Sequence, residues 1–177
     1  MSTGIEKQEA KTLLEVRDLG IRFKGRQGYV NAVEHLSFEM KKGELLALVG
    51  ESGCGKSVTS LAIMGLIQRP GEVFAGEILL DGTDLLKLSP KEKRKLRGTK
   101  LSMIFQDPLT SLNPLFTIGN QISEQFLTHI PGCTRAQAKE KSIEMIKKTG
   151  IPRPEEIYKS YPHELSGGMR QRVMIAI

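Results

Sequence analysis

Leu45-Leu46-Ala47-Leu48-Val49 runs directly into Gly50-Glu51-Ser52-Gly53-Cys54-Gly55-Lys56-Ser57, and this stretch decides the fold. An apolar run of strand length leads into a glycine-rich loop closed by Gly-Lys-Ser, and a helix-compatible run from Val58 to Ile67 follows. That order of strand, loop and helix is the context a P-loop requires. Gly50, Gly53 and Gly55 carry no Cβ, so the backbone can turn tightly and bring several N–H groups close to phosphate oxygens. The start of the helix adds unpaired N–H groups and the positive end of its dipole. Lys56 is then aimed at the β- and γ-phosphates of a nucleotide, and the Ser57 hydroxyl at Mg²⁺. Glu51, Ser52, Cys54 and Val58 complete the backbone such a ligand would meet. Cys54, between two glycines, reads as the filler of a small-residue slot rather than a redox sensor.

The bulk properties fit one ordinary soluble domain. The chain has 177 residues, 39% hydrophobic and 26% charged, which is enough apolar material for a core and too much for disorder. Met1 to Lys11 is polar and lacks the apolar heart of a signal peptide. No apolar run approaches the roughly 20 residues that span a bilayer. A position on the cytoplasmic side is therefore expected, with any membrane connection made through a partner. Cys54 and Cys133 lie far apart, and neither belongs to a CxxC pair, so no metal site or disulfide framework is indicated. The net charge of +6 reads as a lysine-rich solvated surface.

Upstream of the loop, near-alternation of apolar and charged residues from Leu13 to Phe23 reads as strand, with a break at Asp18-Leu19-Gly20. A turn at Gly25 to Gly28 and further strand up to Lys41-Lys42-Gly43-Glu44 complete an antiparallel region. Downstream, Pro70-Gly71 breaks the pattern, and Gly76 to Gly82 reads as a short strand ending in a turn. Ser89-Pro90-Lys91-Glu92 has the form of a capping box with Pro at the first helical position. The basic cluster from Lys91 to Lys100 has no interleaved aromatic residue, so a solvated helix face is expected rather than a nucleic-acid patch. Leu101 to Phe105 reads as a buried strand that delivers Gln106 at its carboxyl end, where ligands of open α/β sheets bind. On position alone, Gln106 serves equally well as the first residue of a loop.

From Thr117 the pattern becomes helical. Ile118, Ile122, Phe126 and Ile130 recur every four residues up to Pro131-Gly132. Thr134-Arg135-Ala136-Gln137 is a second capping box, opening a helix that runs through Lys147-Lys148 to a stop at Gly150. Pro152 and Pro154 then introduce a charged turn. Leu165-Ser166-Gly167-Gly168-Met169-Arg170-Gln171 places a serine and two glycines at the start of a last helix, a second anion-binding geometry.

Together these motifs resemble the ATP-binding-cassette ATPases from about Leu13 onward. Gly50 to Ser57 resembles their Walker A motif, Gln106 their Q-loop glutamine, and Leu165 to Gln171 their signature motif. The wording from Val49 to Gly53 and from Phe105 to Pro114 is similar to the ATPase subunits of bacterial dipeptide and oligopeptide importers. The resemblance implies an α/β P-loop NTPase fold with an N-terminal antiparallel β region and an inserted helical subdomain. Residues 1–12 would be a polar tail, 13–106 the nucleotide-binding core, 107–165 the Q-loop and helical subdomain, and 166–177 the start of the signature helix.

It also implies ATP and Mg²⁺ as ligands. Ser57 and Gln106 would meet the metal, and Lys56 and Gln106 would serve the reaction. Ser166, Gly167 and Gly168 would contact ATP held by a second cassette subunit. An upstream aromatic residue would stack on adenine, with Tyr29 and Phe23 both candidates. The remaining implied partners are membrane permease subunits and, indirectly, a substrate-binding protein, with no nucleic acid. The site of action would be the cytoplasmic face of the membrane. A soluble cassette ATPase acting on ribosomes or DNA is the alternative. One departure stands out: the family's Walker B aspartate, catalytic glutamate, D-loop and switch histidine lie beyond the signature helix. His35, His129 and His163 are not placed to be that histidine. The 177 residues alone are therefore expected to lack part of the cassette, and to bind ATP but hydrolyse it poorly.

Overall fold

A computed structural model describes residues 11–105 and 111–177, so Gln106 lies outside the described residues. The chain divides between Arg97 and Gly98 into two compact units.

The first unit is built on an antiparallel four-stranded sheet of order β2-β1-β3-β4. Strands β1 (Thr12–Gly25) and β2 (Gly28–Lys41) form a hairpin, β3 (Gly71–Leu80) pairs with the other edge of β1, and β4 (Thr83–Asp84) pairs with β3. The break expected at Asp18-Leu19-Gly20 is a bulge inside a continuous strand, with register shifts on both sides of Leu19. Leu14 and Val16 before it, and Leu19 and Ile21 after it, are buried with Val33 and Ile78. At the bulge Asp18 and His35 both take left-handed backbone, and the His35 Nδ1 lies 2.6 Å from the Asp18 carboxylate. The Asp18 N–H donates to Ser37 Oγ at 2.8 Å, which satisfies a group that the bulge removes from the ladder.

Strand β3 begins at Gly71, five residues before the start that the sequence suggests. Gly76, where the sequence suggests that the strand starts, instead marks a bulge inside it: its φ is +86°, and a Cβ there would collide with the carbonyls of Arg17 and Asp18. Helix α1 (Lys56–Ile63) buries Thr59 and Ala62. Helix α2 (Pro90–Leu96) starts with the expected capping box, Ser89 and Glu92 each capping the other, and buries none of its residues. Lys91, Arg94 and Lys95 thus lie on a solvated face, while Lys93 is half-buried and donates to the Leu86 carbonyl at 3.4 Å.

Two expected strands are corrected. Leu45 to Val49 has no ladder hydrogen bonds, and Leu45 and Val49 are 96% and 91% exposed. Leu101 makes an isolated bridge, while Ile104 and Phe105 are exposed. A strand of a parallel sheet is held by neighbours on either side. The described residues supply no such neighbour for either run, and apolar character alone forms no ladder.

The second unit is helical. Helices α3 (Ile118–His129) and α4 (Arg135–Lys148) start at Thr117 and Thr134, whose side chains accept from the N–H groups of Asn120 and Gln137. The charged turn expected after Pro152 is instead a short helix, α5 (Pro154–Lys159), with Pro at its first position and Glu155 and Glu156 in its first turn. A 3-10 turn over Pro162–Glu164 leads to α6 (Gly167–Ala176). Ile118 and Ile122 of the stripe join Ile146, Ile151, Leu165 and Val173 in one core, while Ile130 ends the stripe exposed. Ser123 and Ser142, both buried, bond at 2.9 Å, and Ser123 is 3.1 Å from the Tyr158 hydroxyl. Polar groups inside this core are therefore paired, as burial demands. Among the described residues no helix is long and apolar enough to cross a membrane.

Two outcomes follow for stability. Ile122→Ala removes a fully buried side chain from the helical core and is expected to cost about 2–5 kcal/mol, read by urea unfolding. The hydrogen bond to Asp18, and then its charge, raise the His35 pKa above the ordinary 6.5. The pair's support for the bulge is then fully present below pH 6.5 and is lost as pH rises through the folded-state value. An NMR titration should show His35 titrating above its ordinary value, and Asp18→Asn should bring it back.

Candidate functional site

The loop of Gly50 to Gly55 is exposed up to Gly55, which is buried and takes φ +90° as the N-cap of α1. A Cβ on Gly55 would lie 2.6 Å from the Ala32 carbonyl oxygen and 2.7 Å from Val33 Cγ2. Only glycine satisfies both the left-handed angle and this approach, so the helix start is pressed against β2. No side chain caps α1, its first turn carries no acidic residue, and its first ladder bond is Thr59 N–H to Gly55 C=O at 2.8 Å. The amides of Lys56, Ser57 and Val58 precede that bond and have no intrahelical acceptor. An uncapped, uncompensated helix end of this kind is chemically an anion receptor.

Lys56 folds back over the loop. Its Nζ donates to the carbonyls of Gly50 at 2.7 Å and Glu51 at 2.5 Å, and lies 3.3 Å from Cys54 Sγ. The ammonium is thus held in the concavity of the loop. Cys54 is exposed, and a Cβ on Gly50 would meet its sulfur at 2.6 Å, so it is position 50 that its side chain keeps small. Ser57 is exposed on the first turn, beside Lys56. Ser52 and Gly53 lie in the exposed turn, and Val58 is half-buried. The sequence-identified loop residues are therefore one contiguous structure, and their chemistry fits a polyphosphate.

The two aromatic candidates lie on opposite faces of the sheet. Ile21 pairs with Val33 and Phe23 with Val30, so Phe23 shares the face of Val33, which touches Gly55. Tyr29 pairs with Lys24 on the other face, where the Arg22 guanidinium lies 4.1 Å from its ring centroid and 4.9 Å from that of Phe74. Arg22 is held there by Glu72, its Nε donating at 2.7 Å. Sequence reading missed this stack and left the choice open. The two-residue period of a strand carries the signal, because Leu19, Ile21 and Phe23 fall on one face and Arg22 on the other.

In the second unit, the Ser166 hydroxyl caps α6 by accepting from the Met169 N–H at 3.3 Å. Gly167 and Gly168 are exposed, and a Cβ on either would meet nothing within 4 Å. The neighbouring arginines are engaged within the unit: Arg170 Nε donates to Leu165 C=O at 3.1 Å, and Arg172 Nη1 to Gly150 C=O at 2.8 Å. Glu164 likewise accepts from the Tyr161 N–H at 2.6 Å.

A family profile described as ABC transporter matches residues 33–177. The chain is 51% identical over 165 residues to the dipeptide transport ATP-binding protein DppD of Haemophilus influenzae, covering 93% of this chain and 50% of that protein. It is 52% identical over 166 residues to the oligopeptide transport ATP-binding protein OppD of Bacillus subtilis, covering 93% and 46%. The chain therefore spans about half the length of these curated relatives. Among solved structures it is similar to the ABC transporter cassette MJ0796 in a dimeric structure, with a TM-score of 0.82, 25% identity, and coverage of 93% of this chain and 68% of that one. A dimeric post-hydrolysis state of the same cassette, bound to ADP and Pi, gives the same values.

Gly55→Ala is expected to destabilise the first unit, because both the left-handed angle and the Ala32 carbonyl oppose a methyl group. A strained backbone position of this kind costs about 1–3 kcal/mol. A lowered melting temperature checks it, and Gly53→Ala, with open space around its Cβ, should cost less.

Proposed function

This chain belongs to the ABC transporter family, and from that premise we propose that it is the ATP-binding part of a subunit that energises a di- or oligopeptide importer. The observation that carries the nucleotide reading is the uncapped start of α1 beneath a loop that encloses Lys56. In this reading the backbone of Gly50 to Val58 receives the phosphates, and Lys56 exchanges its carbonyl partners for β- and γ-phosphate oxygens. The Ser57 hydroxyl would hold Mg²⁺, and the family resemblance assigns Gln106, outside the described residues, to the same ion. When bound, the metal neutralises charge on the transferring phosphoryl group. Phe23, on the face turned toward Gly55, is the aromatic we assign to adenine.

Gly167 and Gly168 support the second half of the reading. Among the described residues nothing lies within 4 Å of a Cβ built on either, so the reason for glycine is sought outside their unit. The phosphates of ATP bound to another cassette subunit would approach this bare backbone at the start of α6. The peptide assignment rests on the relatives, which are dipeptide and oligopeptide transport ATP-binding proteins. Permease subunits and a cytoplasmic-face location follow from the same assignment.

Lys56→Ala removes a charge-assisted contact worth about 1.5–3 kcal/mol, so Mg-ATP affinity should fall about 10–100-fold. Titration with a ribose-labelled fluorescent ATP analogue measures it, and equal affinity would remove the loop from the site. Wild-type chain of these 177 residues should release phosphate slowly. It lacks a carboxylate that the motifs place as general base, a loss of about 10²–10⁴-fold. Lys56-dependent steady-state turnover at a full cassette rate would overturn that expectation. Disruption of the gene in its host, followed by uptake of a labelled dipeptide, tests the transport assignment.

A further inference from the structure

Gly71 is buried in β3, directly opposite Phe23 in β1. Its φ lies outside the left-handed region, so that angle is not what calls for glycine. What excludes a side chain is the Phe23 ring: a Cβ on Gly71 would lie 2.5 Å from Cε1 and 2.9 Å from Cδ1, with the Gln68 carbonyl oxygen at 3.0 Å. The Gly71 N–H already donates to that carbonyl at 2.8 Å, closing the turn before β3. The ring thus occupies the volume a side chain at position 71 would fill. Its strand partner on the other side, Val30, is 66% exposed, and Phe23 itself is only half-buried.

We propose that Gly71 is a positioning residue for the nucleotide base: by leaving its Cβ volume to Phe23, it sets the ring at the height and tilt at which a purine stacks on the ring's open side. This rests on the assignment of Phe23 to adenine made above. An aromatic side chain laid over a glycine can also be a purely structural sheet contact, and the two roles separate experimentally. A methyl group at position 71 is expected to displace the ring, because β1, which carries Phe23, is paired with β2 and β3, and Gly71 is itself paired to Phe23 in the β1–β3 ladder.

The test compares wild type, Gly71→Ala, Phe23→Ala and the double variant in the full chain. Base–aromatic stacking is worth about 5–150-fold in affinity. Gly71→Ala is expected to weaken binding of the ribose-labelled ATP analogue about 5-fold or more and to leave competition by inorganic tripolyphosphate unchanged, since the phosphate loop is untouched. In the Phe23→Ala background it should have no further effect. Weakening of ATP and tripolyphosphate together, or full additivity of the two substitutions, would overturn the proposal and place the fault at the Gln68 carbonyl or in general packing. A changed melting temperature with unchanged ATP affinity would leave only the structural contact, which also overturns it. Fluorophenylalanine labelling reads the ring without nucleotide: the resonance that disappears in Phe23→Ala should shift in Gly71→Ala. A shift in a chain that binds no ATP would refute the nucleotide reading while upholding the seat, and no shift would refute the seat.

Discussion

The first unit depends on the contact between Gly55 and the Ala32 carbonyl. A left-handed glycine at the start of a helix lets the chain turn from loop into α1 without a Cβ, and the same missing atom lets that turn rest on β2. Everything that makes the loop an anion receptor hangs from this point. The free amides of the first turn point out of α1, Lys56 begins there, and Thr59, one turn further on, is buried and returns its hydroxyl to the Gly55 carbonyl at 2.9 Å. The antiparallel sheet is thus the anvil against which the phosphate loop is shaped, although it contributes no residue to the loop itself.

What the sequence conveyed was mostly chemistry encoded by neighbours along the chain. Both capping boxes, the stop at Gly150 and the placing of Ser166 at a helix start are local and were legible because each is settled within one helical turn. The hairpin of β1 and β2 was legible for a similar reason: a turn between two alternating runs leaves one partner for each. Partnership at longer range was not. Gly76 looked like a boundary because the sequence does not display Arg17 and Asp18, the residues that press against it. Leu45 to Val49 and Leu101 to Phe105 have strand composition, but a ladder belongs to a pair of strands. Pro154 suggested a break, yet a proline with free space ahead of it begins α5 as readily as it ends a helix.

The two faces of the sheet divide the labour. One face carries Leu19, Ile21 and Val33 into the core and toward α1. The other carries Arg22 between Tyr29 and Phe74, with Glu72 holding the guanidinium in place. A half-buried arginine over a ring contributes at least about 0.5–1 kcal/mol per contact, the range for exposed sites. More usefully, it gives two exposed aromatic side chains a charged cover, so that the outer face of a small sheet stays wettable. Phe74 also lies over Gly20, closing the gap left where β1 bulges.

The exposed run from Leu45 to Val49 bears on the order of assembly. The hairpin and the β3 pairing can form from residues within the first unit, and hairpins close on a timescale of about 1–10 μs. Leu45 to Val49 has no ladder partner among the described residues, and order gained through distant contacts comes by slower, non-local closure. The sheet that positions Gly55 is therefore expected to form independently of the exposed Leu45–Val49 run that leads into the loop. An anion arriving at the start of α1 would then meet a loop whose floor, β2, is already in place.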